Sequence, residues 1–326
     1  MISDSDIDNA VAVLRAGGLV AFPTETVYGL GADASNPSAV RRIYEAKGRP
    51  ADHPVIVHVA DAIQVANWAR EMPEAAHRLA RRFWPGPLTL VLKRARGVSD
   101  VVTGGQDTVA VRVPSHPVAQ QLLRRFGGGV AAPSANRFGR VSATTAEHVR
   151  QEFGGSVVIV LDGGEADVGI ESTIVDLSGA APRLLRPGWV TALAIEEAAG
   201  QPLAAVDPRA PRAPGTLAAH YAPRTPLALA EGDLLLELAA SFTRQGKKVA
   251  ALAFSAARPV DPDITWTFAP RDAGGYAHAL YSNLRKLDEA ECDAIIVEHP
   301  PQTADWAAIN DRLARAAAGS AAPDEI

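Results

Sequence analysis

Cys292 is the only cysteine in 326 residues, so no disulfide can close within the chain, which suits a reducing compartment. No apolar run approaches the roughly 18 residues that a membrane span requires. The opening "MISDSDIDNA" is acidic and polar, unlike a secretory leader. A cytoplasmic protein with no membrane association is expected. Net charge is -5, which excludes bulk polyanion binding and leaves nucleic acid only a local basic patch. Two familiar motifs are also missing: the G-x-x-x-x-G-K-[ST] phosphate loop and the G-x-S-x-G nucleophile elbow. "GLGADA" fits G-x-G-x-x-A, but the next helix signal waits until Pro37, so the dinucleotide fingerprint lacks its strand-turn-helix context. His53 and His58 are five apart and fall on opposite faces of any strand spanning both, which argues against a metal pair. No internal repeat and no low-complexity tract is present.

What remains is an α/β alternation. Helices are expected over 5–14, 37–47, 73–83, 117–126, 144–153 and 191–199, the second opened by Asn36 as cap and Pro37 in the first turn. "LVAF", "VIVHV", "LTLVL", "VAVRV" and "VVIVLDGG" read as strands, several apolar throughout, as strands covered on both faces are. Residues 201–226 are proline-rich with little apolar periodicity and read as a linker of limited flexibility. Beyond it, "LALA", "KVAALAF", "ITWTF" and "AIIVEHP" alternate with helices over 233–244, 273–290 and 303–317. The expected division is a catalytic domain over 1–200, a linker or lid over 201–226, and a smaller Rossmann-like α/β domain over 227–326.

Chemistry is carried by polar residues set in apolar strands. His58 closes "VIVH" and Arg112 closes "VAVR", both at strand exits, where α/β sheets place ligands. His58 is equally readable as a core histidine satisfied by a carbonyl. Arg112 cannot shed its charge and needs an anion opposite it, either a structural carboxylate or a ligand's. Lys47 and Arg49 leave a helix through Gly48 and Pro50. "APSAN" supplies Ser134 and Asn136, while Ser142 or Thr144 could cap the following helix. "GIESTIVDL" and "LLRPG" bring Ser172 and Arg186. Cations, hydroxyls and turn amides without a covalent nucleophile suit a polyphosphate with Mg2+, where catalysis is positioning and charge neutralisation. The run "PTETVYGLG" adds two hydroxyls, a carboxylate and a phenol, with glycines expected to let a ligand approach the backbone.

Seven blocks in order, "FPTETVYGLG", "KGRPADHPVIVHV", "WPGPLTLVL", "TVAVRVPSHP", "APSAN", "GIESTIVDL" and "LLRPG", cover residues 19–190 and resemble the threonylcarbamoyl-AMP synthase family in its two-domain form. The resemblance implies an N-terminal YrdC-like α/β domain with a twisted mixed sheet. It also implies a nucleotidyltransferase activity: L-threonine, bicarbonate and ATP give threonylcarbamoyl-AMP and pyrophosphate. A threonylcarbamoyl transferase complex would receive the adenylate to modify tRNAs reading codons that begin with A. It implies threonine contacts at Thr26, His58, Arg112, Ser172 and Ser134. It implies ATP contacts at Arg49, His53, Thr108, Ala132, Ser134, Asn136, Ser142 and Arg186, with Lys47 near the phosphates. The catalytic set would be Lys47, Arg49, Ser134 and Asn136. Two positions depart from the family: His53 stands where asparagine is frequent, and Ala218 where a tyrosine often meets the nucleotide. His220 and Tyr221 keep the linker's "HYAP", and the linker is expected to act as a lid.

Two rivals stand beside this reading. Hydrogenase-maturation carbamoyltransferases share the YrdC-like domain but carry cysteine-rich zinc segments, which one cysteine cannot supply. A binding module for double-stranded RNA or tRNA would use the same four cations, Lys47, Arg49, Arg112 and Arg186, on phosphates, and its affinity would fall steeply with salt.

Overall fold

The structure is a computed structural model that describes residues 2–157, 159–205, 209–259, 261 and 263–320. It divides into two compact units, one of residues 1–138 with 143–216, the other of 139–142 with 217–326. Residues 206–208 of the expected linker and 321–326 of the expected second domain lie outside the described residues.

The first unit runs α1 (Asp4–Arg15), β1 (Val20–Phe22), β2 (Gly29–Asp33), α2 (Pro37–Lys47), β3 (Ile56–His58), α3 (Glu74–Phe83), β4 (Leu88–Lys93), α4 (Asp100–Thr103) and β5 (Thr108–Arg112). It continues α5 (Pro117–Phe126), β6 (Val130–Ala131), α6 (Ala146–Phe153), β7 (Ile159–Val160), β8 (Thr173–Asp176), β9 (Arg183–Arg186) and α7 (Ala192–Ala199). Helix ends follow local chemistry. Ser3 and Asp6 close a capping box on α1, a type of cap worth about 1 kcal/mol. Asn36 caps α2, which ends on Gly48 in the left-handed conformation at φ 62°. Helix α6 is capped by Thr145, not by Ser142 or Thr144, because Thr145 Oγ1 is the oxygen that reaches the His148 amide.

Nine described strands form one mixed sheet in the order β7-β1-β2-β6-β3-β5-β4-β8-β9. Alternation along each strand sorts the side chains. Val57, Leu90, Leu92, Val109, Val111 and Val175 point into a core shared with α2, α3 and α7. The opposite face carries a second cluster under α1 and α5, and beside it a smaller one of Ile56, Val91, Ala110 and Ile174. His58, Thr89 and Arg112 share this second face, set two residues along from Ile56, Val91 and Ala110.

Strand β2 corrects the expectation for "GLG". Gly29 and Gly31 pair with Phe22 and Val20 inside the sheet. A Cβ on Gly31 would come within 2.8 Å of the Phe22 ring and 2.9 Å of Val130. These glycines make room for a buried aromatic ring, not for a ligand.

In the second unit, β10 (Leu227–Ala230), α8 (Gly232–Arg244), β11 (Val249–Ala253), β12 (Ile264–Phe268), α9 (Ala273–Asp288), β13 (Ala294–Glu298) and α10 (Ala307–Ala318) build a parallel sheet of order β10-β13-β11-β12. Glu298 ends its central strand β13. The carboxylate accepts the amides of Phe254 at 2.6 Å, Ser255 at 2.8 Å and Ala256 at 3.0 Å, and the Ser255 hydroxyl besides. Burial alone would push its pKa up, but these donors outweigh it and hold the carboxyl below its usual range.

Candidate active site

Strands β3, β5 and β4 set His58, Arg112 and Thr89 in one row, because their registers pair His58 with Arg112 and Arg112 with Thr89. Arg112 is 3% exposed and reaches three groups. Nη1 donates to Thr26 Oγ1 at 2.8 Å, Nε donates to the Gly86 carbonyl at 3.3 Å, and Nη2 lies 2.7 Å from Glu25 Oε1. The anion that Arg112 requires is therefore present in the chain. The ion contact is nevertheless misaligned for hydrogen bonding, and both Nη2 and Oε1 keep unspent capacity. Glu25 is anchored from its other oxygen, which accepts the Ser115 amide at 3.1 Å.

His58 is buried, edge-on to Phe22, and its Nδ1 makes no hydrogen bond. Burial first, and the neighbouring guanidinium of Arg112 second, push its pKa down to about 3 against the pull of the Ile56 and Val130 carbonyls. It is a neutral imidazole at pH 7. Thr89 Oγ1 meets Ser172 Oγ at 2.7 Å, and Arg186 donates to the Ser172 carbonyl through Nη2 at 2.9 Å and Nε at 3.2 Å.

A second group gathers at the end of α2. Lys47 Nζ donates to the carbonyl of Ser134 at 2.6 Å and to that of Asn136, tying the "SAN" loop to the helix. Complete burial, with Arg49 adding repulsion, drives its pKa well below the ordinary lysine value. Arg49 donates to the Pro54 carbonyl at 2.8 Å and lies over Phe138 at 5.7 Å, and His53 meets the same ring edge-on at 5.5 Å. Burial and then Arg49 lower the His53 pKa, partly offset by Asp52. Ala132 is buried, its amide on the Ile56 carbonyl at 2.9 Å. Thr108 starts β5 on the Arg112 face, about 13 Å away at the rise of an extended strand.

Residues 212–214 lie on this face. Arg212 donates to the carbonyls of Asp52 at 3.2 Å and Gly104 at 2.8 Å. Ala213 packs with Ile56, Val91, Ala110 and Ile174, and the Pro214 carbonyl accepts Arg186 Nη1 at 2.8 Å. Three of the expected residues belong to the second unit. Ser142 gives its carbonyl to Arg285 Nε at 3.2 Å. His220 and Tyr221 are buried in contact with each other. Tyr221 is stacked on Tyr281 at 5.7 Å beneath the Arg312 guanidinium at 5.2 Å.

Thr89, Phe138 and Arg212 carry no mark in the sequence, whereas Glu25 is the carboxylate of "PTETVYGLG" but is not matched there to Arg112. Glu25 had a signal, since a buried arginine demanded a carboxylate. Thr89 is hidden in the apolar run "LTLVL", and Phe138 and Arg212 reach the site only through the folded loops. Among the described residues no three of His, Cys, Asp or Glu are grouped as a metal would need, and no helix is long and apolar enough to cross a membrane.

Residues 12–188 match a family model described as telomere recombination, and 190–318 match the C-terminal domain of threonylcarbamoyl-AMP synthase. A threonylcarbamoyl-AMP synthase of Pyrococcus abyssi is 42% identical over 97% of this chain and 95% of its own. That of Bacillus subtilis is 42% identical over 97% of this chain and 94% of its own. A crystal structure of P. abyssi Sua5 complexed with L-threonine superposes with a TM-score of 0.91 at 41% identity, covering 98% of this chain and 96% of that one.

Proposed function

The chain belongs to the threonylcarbamoyl-AMP synthase family, and from that premise we propose that its first unit joins L-threonine, bicarbonate and ATP into threonylcarbamoyl-AMP and pyrophosphate. The observation that carries this is the row His58–Arg112–Thr89. It presents a buried guanidinium with unspent N–H groups beside a neutral imidazole, on a fold shared with a threonine-bound relative.

In this reading Arg112 receives the threonine carboxylate through Nη2, with Thr26, His58, Ser172 and Ser134 around the rest of the amino acid. The deprotonated amine attacks bicarbonate, whose hydroxyl leaves as water with a proton from the amine, or adds to the carbon dioxide derived from it and releases that proton, to give a carbamate. A carbamate oxygen then attacks the α-phosphorus of ATP and expels pyrophosphate. Carbamates fall apart readily in water, so a closed pocket protects this intermediate. Arg49, His53, Thr108, Ala132 and Arg186 line the nucleotide end. Lys47 Nζ donates to the Ser134 and Asn136 carbonyls, so its first task is to fix the loop where the two substrates meet. Magnesium enters with the triphosphate as its counterion, a role that suits a site whose own contribution is donors and cations. Residues 212–214, lying on the site face and held by Arg186, act as the lid of the nucleotide end. The adenylate passes to a threonylcarbamoyl transferase complex in the cytoplasm, and tRNA contact, where it occurs, is weak and salt-sensitive.

The test is pyrophosphate release from ATP with threonine and bicarbonate each present or withheld. Release that needs both, and falls with serine in place of threonine, is expected. Release indifferent to threonine would sink the reading.

A further inference from the structure

Resting on that reading, the buried ion pair of the site carries one assignment more. Three polar atoms on this face, Glu25 Oε1, Arg112 Nη2 and His58 Nδ1, are buried without a hydrogen bond. Glu25 Oε1 and Arg112 Nη2 compensate each other's charge, but a buried ion pair without hydrogen bonds keeps capacity that a ligand can take up. One is an acceptor with negative charge and one a donor with positive charge. They sit 2.7 Å apart on residues 4% and 3% exposed.

Proton accounting at the neighbouring threonines sharpens this. The one hydrogen of Thr24 Oγ1 goes to the Val27 carbonyl at 2.6 Å. In its 2.8 Å contact with Thr26, Thr24 is therefore the acceptor and Thr26 the donor. Thr26 Oγ1 also accepts from Arg112 Nη1 at 2.8 Å. Thr26 has no hydrogen left for a ligand carboxylate and can only accept. Glu25 and Thr26 thus form an acceptor side, and Arg112 Nη2 a donor side, of a cluster whose net charge is zero. A free carboxylate would bring uncompensated charge into it. A zwitterion would not.

We propose that Glu25 seats the α-ammonium of the substrate and, through its ion pair, positions the Arg112 guanidinium, so that the pocket selects a zwitterionic α-amino acid over a simple carboxylate. The Ser115 amide on its far oxygen holds Glu25 in that posture at 3.1 Å. The carboxylate holds the ammonium intact on binding, and the amine loses its proton only later, in the carbamate-forming step.

Titration calorimetry of the full chain with L-threonine and with 2,3-dihydroxybutanoate, the same skeleton bearing hydroxyl for ammonium, tests this. The wild type should prefer threonine by about 100-fold, as truncating one side of a buried charge pair commonly costs. Glu25→Gln should lose threonine by a similar factor and the hydroxy acid little, so the preference collapses. Equal weakening of both ligands would overturn the proposal and leave Glu25 a scaffold. No threonine binding by the wild type would overturn the enzyme reading and this proposal with it. If Glu25→Gln does not fold, the wild type alone decides. Heats of threonine binding at pH 7, compared in two buffers of different ionisation enthalpy, should show no proton released, and release of one proton overturns the assignment.

Discussion

Each unit ends a central strand or loop with a buried carboxylate, and the two are used in opposite ways. Glu298, at the exit of β13, is saturated: three amides and a hydroxyl point at it. A Cβ on Gly232, the first residue of α8, would come within 2.9 Å of its Oε1. A strand exit lined by amides and facing a helix N-terminus is where α/β sheets hold phosphate. Here the chain's own carboxylate takes the donors, so the nest serves stability. Glu25 is buried to a similar degree, yet its Oε1 and the Arg112 Nη2 beside it make no hydrogen bond. Saturation marks a structural carboxylate, and unspent capacity under burial marks a site.

The largest test of that distinction is Arg112→Lys. It keeps the charge but loses the planar fork, and threonine-dependent pyrophosphate release should fall about 1,000-fold in kcat/KM, roughly 4 kcal/mol. Unfolding followed at Trp306 in the second unit should not move. An activity loss under tenfold would mean that Arg112 is balanced by Glu25 for structure alone. Lys47→Met comes next. It keeps the buried stem and cuts the ties to Ser134 and Asn136, so kcat should fall about 100-fold through misplacement of the loop. Threonine affinity, read by calorimetry, should change much less. A parallel loss of both would place Lys47 in the threonine pocket.

Much of this contrast was open to sequence reasoning, and the rest was hidden for physical reasons. The start of helix α2 was legible because Asn36 and Pro37 are local signals, and its end was expected at about Lys47. His58 and Arg112 were legible because polar side chains interrupt apolar strands. Glu25 was half-legible: Arg112 demanded an anion, but nothing local says which of the chain's 37 acidic residues folds against it. Strand β2 is not among the expected strands, and the role of its glycines was hidden, since the ring that fills the space over Gly31 comes from Phe22 on the neighbouring strand. In the second domain the alternation of strands and helices was visible, whereas the saturation of Glu298 depends on the loop that follows β11, a contact no spacing reveals.

Glu298→Ala sharpens the comparison from the other side. It leaves three amides and a hydroxyl without their acceptor, and the second unit should lose about 2–3 kcal/mol in urea unfolding read at Trp306. Threonine binding should be unchanged. A variant of full stability would mean that water replaces the carboxylate at no cost, and the nest would then be open to an external anion.

The last effect is the most diagnostic, because acid should take the two units apart in order. Folded His58 stays neutral down to about 3, whereas in the unfolded chain it protonates near 6.5. Between those values the unfolded state binds more protons, so stability falls as pH falls, by at most about 1.4 kcal/mol per pH unit for each such group. Burial also lowers the pKa of His116, in the same unit and with the same sign. Glu298 is a carboxyl held below its usual 4.5, so its contribution is complete above that value and is lost only beneath it. Variants retaining Trp68 alone or Trp306 alone report the two units separately. The Trp68 signal should weaken in urea already between pH 6.5 and 4.5, the Trp306 signal only below, and His58→Gln should flatten the first slope. If Trp306 responds first, or both respond together from 6.5, then the neutral imidazole is not what stabilises the first unit, and the site's burial is less complete than its geometry implies.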